Sequence, residues 1–220
     1  MKRYLNVLMA GWLLVGSAAY AGVVTGGTRL IYHGGKKEAS LSVTNNDATP
    51  YLIQSWVEAN NGSSPFLLPP PLFRLEGEQQ TRLRVIYSGG LPENKESMFW
   101  MNIKAIPSSQ AKEGANTLQI AIKTRIKLIY RPKSVAGTPE MVTEQLRWTR
   151  SGNTLQVTNP TGFYMNFAEV KIGGAEVKDA NWVAPGETAR FELPRGSAGT
   201  LRWKLINDYG GIGAPHSADL

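Results

Sequence analysis

The chain has 220 residues, no cysteine, two histidines and a formal net charge of +7 at neutral pH. That length allows two domains of about 100 residues each, or one large β domain. Without cysteine the fold cannot lean on disulfides or thiolate metal sites, so it must bury a proper hydrophobic core.

The first residues read as a secretory signal. Lys2 and Arg3 form a charged start, Leu5 to Val15 a short apolar run, and Ala19-Tyr20-Ala21 a cleavage site with the cut after Ala21. The run is too short and too soon broken to span a bilayer, and no later segment resembles a span, so no membrane insertion is expected. Loss of Lys2 and Arg3 would leave +5 of the +7 charges. Export makes nucleic acid a poor partner for that charge and leaves solubility or an acidic partner.

From Gly22 onward short apolar-alternating runs are separated by turn residues. Strands are expected at Arg29–Tyr32, Ala39–Thr44, Tyr51–Glu58, Arg82–Tyr87 and Phe99–Ala105. Between them stand His33-Gly34-Gly35, Asn45-Asn46-Asp47, Asn60-Asn61-Gly62 and Ser88-Gly89-Gly90, all turn chemistry. Leu67-Leu68-Pro69-Pro70-Pro71 reads as a surface loop of polyproline character. No amphipathic helix stands out. Many short strands punctuated by turns predict an all-β chain built of immunoglobulin-like β-sandwiches.

The segment from Asn116 to Arg131 is the most informative. Leu118, Ile120, Ile122, Thr124, Ile126, Leu128 and Tyr130 alternate with Gln119, Ala121, Lys123, Arg125, Lys127, Ile129 and Arg131. Period-two alternation predicts one β-strand with an apolar face and a largely basic face. It would be about twice the usual strand length of roughly 5–6 residues. A strand that long overruns its sheet and leaves an apolar edge open, which soluble proteins ordinarily blunt because it templates pairing with another chain.

Arg131-Pro132 ends the strand, and residues 134–138 read as a linker between a first domain at 22–133 and a second at 139–220. In the second domain strands are expected at Gln145–Arg150, Thr154–Thr158, Gly162–Ile172, Thr188–Leu193 and Thr200–Asn207. His33 lies beside a turn and His216 in what reads as a loose tail; neither belongs to a motif. Glu76 and Glu78 share a polar turn, where solvation explains them better than acid–base chemistry. There is no Gly-x-Ser-x-Gly elbow, phosphate loop or clustered His/carboxylate pattern, so no catalysis, metal or cofactor is expected.

Residues 91–107, LPENKESMFWMNIKAIP, resemble the signature of the periplasmic pilus-assembly chaperones of the chaperone–usher pathway. The likeness runs through Leu91-Pro92, Glu96-Ser97, Trp100-x-Asn102 and Ile106-Pro107. It extends to IKLIYRP at Ile126–Pro132, INDYGG at Ile206–Gly211, Pro50-Tyr51-Leu52-x-x-x-Trp56 and Pro70-Pro71-x-x-Arg74-Leu75. Leu75-Glu76-Gly77-Glu78 departs from the pattern in one turn, where the family often has proline before glycine. Together the matches run from Thr28 to Gly211.

The resemblance implies two immunoglobulin-like domains in a boomerang arrangement with a cleft between them. Arg29, in TRLIY, and Lys127, in IKLIYRP, match cleft cations that bind the C-terminal carboxylate of a pilus subunit. A guanidinium and an ammonium suit that task, because a chain terminus offers only charge and hydrogen-bond acceptors. Leu118, Ile120 and Ile122 match a donor strand lent to a subunit lacking its own last strand, a mode of β-augmentation. Period two alone leaves open whether these three face a client or the protein's own core. Five residues separate Ile122 from Lys127, about 16–17 Å of extended chain, so the anchor would fix the register of the lent edge.

Glu96, Arg131 and Asp208 match an interdomain charge network. The short connection at Ser108–Ala115 resembles the short-loop branch of the family. The implied partners are fimbrial subunits and an outer-membrane usher, with possible self-association through the donor strand. Two other readings remain: a pilus subunit, which predicts a single shorter domain with a donor extension after the signal, and a secreted β-sandwich enzyme.

Overall fold

The computed structural model describes residues 22–58, 64–108 and 118–220. Among them the first half of the chain forms β1 (Val23–Thr25), β2 (Arg29–His33), β3 (Ala39–Asn45), β4 (Tyr51–Glu58) and β5 (Phe66–Leu67). There follow β6 (Leu72–Leu75), β7 (Gln80–Tyr87), β8 (Ser97–Pro107) and β9 (Ile122–Arg131). The second half begins with a single helical turn, α1 (Pro139–Val142), and a 3-10 turn at Thr143–Gln145. Its strands are β10 (Arg147–Ser151), β11 (Thr154–Thr158), β12 (Met165–Ile172), β13 (Ala175–Glu176), β14 (Trp182–Val183), β15 (Thr188–Glu192), β16 (Leu201–Ile206) and β17 (Ile212–Ala218).

Each half packs two sheets over its own core. The first pairs the order β1-β3-β7-β5 with the order β2-β9-β8-β4-β6. The second pairs β10-β11-β15 with β13-β12-β16-β17, and β14 adds to β12. Alternation decides which side chains go inward: on β4, Ile53, Ser55 and Val57 are buried while Leu52 and Gln54 are exposed. Ile53, Val43, Val85, Met101, Ile103, Leu128 and Tyr130 belong to the first core. Leu155, Met165, Ile172, Leu201, Trp203 and Leu205 belong to the second. No helix among the described residues is long and apolar enough to cross a membrane.

Two turns of asparagine chemistry close the sandwiches. Asn45, fully buried, donates to the carbonyls of Thr49 and Glu76. Asn159, also fully buried, donates to those of Phe163 and Ala184 and accepts from the Thr161 N–H. Such bonds satisfy carbonyls that would otherwise be buried without partners. Gly77 stands where a Cβ would lie 2.2 Å from the Ala48 carbonyl oxygen, so the departure from the family's turn still closes tightly on glycine.

The long strand is shorter than its alternation suggests. It starts at Ile122, which pairs with Ala105, and residues 118–121 have no ladder partner. The partner strand β8 ends at Pro107, which has no N–H to offer. The expected start at Asn116 and most of the connection at Ser108–Ala115 lie outside the described residues.

Two further segments differ from the sequence reading. His216 is not in a loose tail: it lies on β17, its ring stacked on Trp203 at 5.7 Å and 24°. The run Ile212–Ala218 reads poorly as a strand because it holds Gly213 and Pro215, but as the sheet's outer strand it needs hydrogen bonds on one side only. The glycine-flanked Val23–Thr25 is likewise a strand, paired with β3. The proline-rich loop lies at the surface as expected, with Pro69, Pro70 and Pro71 exposed, and is anchored by the buried Leu68.

The two halves of the long segment should respond differently to truncation. Leu128 is fully buried, so Leu128→Ala should lower stability by about 2–5 kcal/mol in urea unfolding. Ile120 is 64% exposed, so Ile120→Ala should change stability by no more than about 0.5 kcal/mol.

Candidate functional site: a cleft anchor and an open edge

β2 runs parallel to β9, in the register Arg29↔Lys127, Leu30↔Leu128, Ile31↔Ile129, Tyr32↔Tyr130 and His33↔Arg131. Leu128, Tyr32 and Tyr130 are buried in the first core, with Leu30 packed against it, so the alternate residues Arg29 and Lys127 stand side by side on the other face. Across β8 the row continues: Lys127 is opposite Trp100, which is opposite Glu58 on β4. Down β9 this face passes from exposed Lys123 and Arg125 through half-buried Lys127 to buried Ile129 and Arg131. Ile129 belongs to neither core.

The second domain reaches both cations. Arg29 Nη1 donates to the Ile206 carbonyl at 3.0 Å, while its Nε is buried without a partner. Lys127 Nζ donates to Asn166 Oδ1 at 2.5 Å and lies 4.6 Å from the Trp182 ring and 5.9 Å from that of Trp100. Asn166 and Trp182 are themselves cross-strand partners in β12–β14. Neither Arg29 nor Lys127 makes an ion pair among the described residues.

Electrostatics follows from that confinement. Burial, reinforced by the neighbouring Arg29 charge, brings the Lys127 ammonium down to about 8. Burial also pulls Arg29 below its ordinary value, against the opposing pull of Asp208 and Glu140. The arrangement is two adjacent cations at half depth, with donors still free to receive an anion.

In a second cluster the cation is neutralised, one guanidinium lying between two carboxylates. Arg131 Nε donates to Glu96 Oε1 at 2.6 Å, and its Nη1 and Nη2 grip Asp208 at 2.6 and 2.8 Å. Glu96 also accepts the Tyr164 N–H at 2.7 Å, and its own N–H donates to the Gly162 carbonyl. Burial pushes the Glu96 carboxyl up, while its contacts with Arg131 and Tyr164 pull the other way. Arg131 is held above its ordinary value: hydrogen bonds and charge from both carboxylates outweigh its burial. Gly210, at φ +87°, closes the turn after Asp208, and a Cβ there would lie 2.5 Å from Thr28 Oγ1. These contacts join the start of β2, the end of β9 and the second domain at one point.

Leu118, Ile120 and Ile122 are 87%, 64% and 58% exposed. They do not face the protein's own core, although Ile126 and Leu128 on the same alternation do. The structure brings together the residues the resemblance singled out, Arg29 with Lys127 and Glu96 with Arg131 and Asp208. The sequence reading missed Asn166 and Trp182. Both come from the second domain, and no motif or spacing ties them to β9.

Comparison with known proteins decides the family. Residues 22–136 match the family model for the pili and flagellar-assembly chaperone, PapD N-terminal domain, and residues 141–217 match the pili assembly chaperone PapD, C-terminal domain. The chain belongs to this family of pilus-assembly chaperones. Chaperone protein FimC of Escherichia coli K12 is 42% identical over 213 residues, covering 94% of this chain and 88% of FimC. Chaperone protein LpfB of Salmonella typhimurium is 37% identical, covering 91% and 90%. Among solved structures, the SafB chaperone of Salmonella enterica in complex with the SafA pilin superposes with a TM-score of 0.85 at 42% identity, covering 93% of this chain and 99% of that one. The Escherichia coli chaperone DraB gives 0.82 at 37% identity, covering 91% and 97%. The family is one of folding and assembly factors, not enzymes.

Removing Arg131 would leave Glu96 buried without its cation. Arg131→Ala should therefore lower stability by about 3–5 kcal/mol, measured by chemical unfolding, and should loosen the domains in small-angle scattering.

Proposed function

We propose that this chaperone captures fimbrial subunits in the periplasm by binding each at two points. Arg29 and Lys127 hold the subunit's C-terminal carboxylate, and Leu118, Ile120 and Ile122 fill the groove left by its missing strand. The observation that carries this reading is a pair of unneutralised, half-buried cations, one of which, Lys127, shares its segment of chain with an exposed apolar edge. A protein without an anionic, strand-deficient client would have little reason to keep either. The SafB relative is seen bound to a pilin, which supports a subunit as the client.

Main-chain bonds supply pairing with little regard to sequence, whereas alternate side chains select pockets. Each Leu or Ile fully buried in a client could contribute about 1.5–3 kcal/mol. The segment 1–21 would direct export and be removed after Ala21, leaving domains at 22–133 and 139–220 about a linker at 134–138. The captured subunit would pass to an outer-membrane usher. When free, the open edge would be available for self-association.

Co-expression with a candidate subunit tests the anchor. Arg29→Ala and Lys127→Ala should remain folded by circular dichroism and lose most subunit capture; undiminished capture by both would defeat the mechanism. Capture should also depend on pH. A bound carboxylate favours the charged ammonium and raises the Lys127 pKa above its free value of about 8, so binding takes up a proton on the alkaline side. Affinity should be flat below about pH 8 and fall up to about tenfold per pH unit above it, read by calorimetry. A flat profile to pH 9.5 would contradict a protonated Lys127 as the anchor.

A further inference from the structure

We infer that Asn166 and Trp182 of the second domain are positioning residues that hold Lys127 ready for the client carboxylate without neutralising it. The inference rests on the anchor reading above, and it gives the second domain a direct part in a site whose cations and lent edge all belong to the first.

A lysine on four rotatable carbons does not hold one position unaided. Here its ammonium is fixed from the far side of the cleft. Asn166 is 3% exposed and its Oδ1 accepts from Nζ, while the Trp182 ring lies 4.6 Å from the same nitrogen. Trp100 closes the third side, its ring edge-on to Trp182 at 6.3 Å and 72°. The antiparallel register Asn166↔Trp182 sets the amide and the indole side by side on neighbouring strands, so one pair of residues supplies both contacts.

The choice of neutral partners matters. An amide oxygen occupies one of the three ammonium donors and leaves the others for a carboxylate. An indole attracts the cation through its ring face and carries no charge to compete with a client. A carboxylate at either position would close an ion pair like that of Arg131 with Glu96 and Asp208, and the anchor would be spent internally. The charged groups around Lys127 agree with this. Arg29 adjoins it on β2; Arg125 on its own strand stacks on Trp100 at 4.2 Å and is matched by Glu58 from β4. Asp208 and Glu140 of the second domain act on Arg29.

The test uses a synthetic peptide of the C-terminal segment, with its free carboxylate, of a subunit that co-purifies with the wild type, with affinity measured from pH 6 to 9.5 on the full chaperone. Asn166→Ala should weaken binding at least fivefold at pH 7 and move the alkaline fall in affinity to lower pH, because the ammonium loses its acceptor. Asn166→Asp, nearly the same shape, should weaken binding at least tenfold and move the fall at least one pH unit higher, because the new carboxylate pairs with Lys127. Trp182→Phe, which keeps a smaller ring, should weaken binding less than Asn166→Ala. Wild-type affinity and pH profile in the Asn166 variants would overturn the inference. So would weakening at every pH without movement of the fall, which marks a structural role alone. If Asn166→Ala fails to fold, the Asp variant decides. Lys127→Ala is the control for the anchor: if it binds as the wild type does, the anchor reading itself fails, whereas a loss there with unaltered Asn166 variants sinks only this inference.

Discussion

The structure turns on two like charges placed next to each other at half depth. Arg29 and Lys127 are set side by side by the parallel register of β2 on β9, and nothing within ion-pair distance among the described residues neutralises them. Such a pair is unfavourable by itself: each cation loses solvation and repels its neighbour, and the Lys127 ammonium shifts down accordingly. It persists because the surroundings are rigid. The cores of both domains and the Glu96–Arg131–Asp208 cluster hold the two domains in the relation that brings Ile206, Asn166 and Trp182 up to the cations.

The two charge clusters of the cleft therefore differ in kind. At Arg131 one guanidinium is shared by two carboxylates, and the result is a joint between domains. At Arg29 and Lys127 the partners are a carbonyl, an amide and aromatic rings, none of them charged, which is why we propose an anionic client there. Arg131 is only four positions along the strand from Lys127, yet among the described residues the one cation is ion-paired and the other is not. Further out on the same segment the apolar positions 118, 120 and 122 stay exposed while 126 and 128 enter the core. A single alternation thus runs from a finished interior to an unfinished edge.

Much of this was legible in the sequence because it is local. Period-two patterns located β2, β3, β4 and β11 nearly to the residue, and the motifs around Trp100, Lys127 and Asp208 carried the family. What was not legible depends on distant partners. The strand start at Ile122 is set by where β8 ends, and the alternation continues without regard to it. The outer strand β17 contains proline and glycine that a central strand would reject, so position in the sheet decided what composition could not. Asn166 and Trp182 read as ordinary sandwich residues until the domain arrangement brings them to Lys127.

In the proposed mechanism the cleft recognises a chain terminus by its charge. Calorimetry of the wild type with one subunit peptide in two forms, free acid and C-terminal amide, tests it most directly. Amidation, which removes the charge and little else, should weaken binding at least tenfold, and the difference between the two forms should shrink in Arg29→Ala and Lys127→Ala. Equal affinity for acid and amide in the wild type would contradict it.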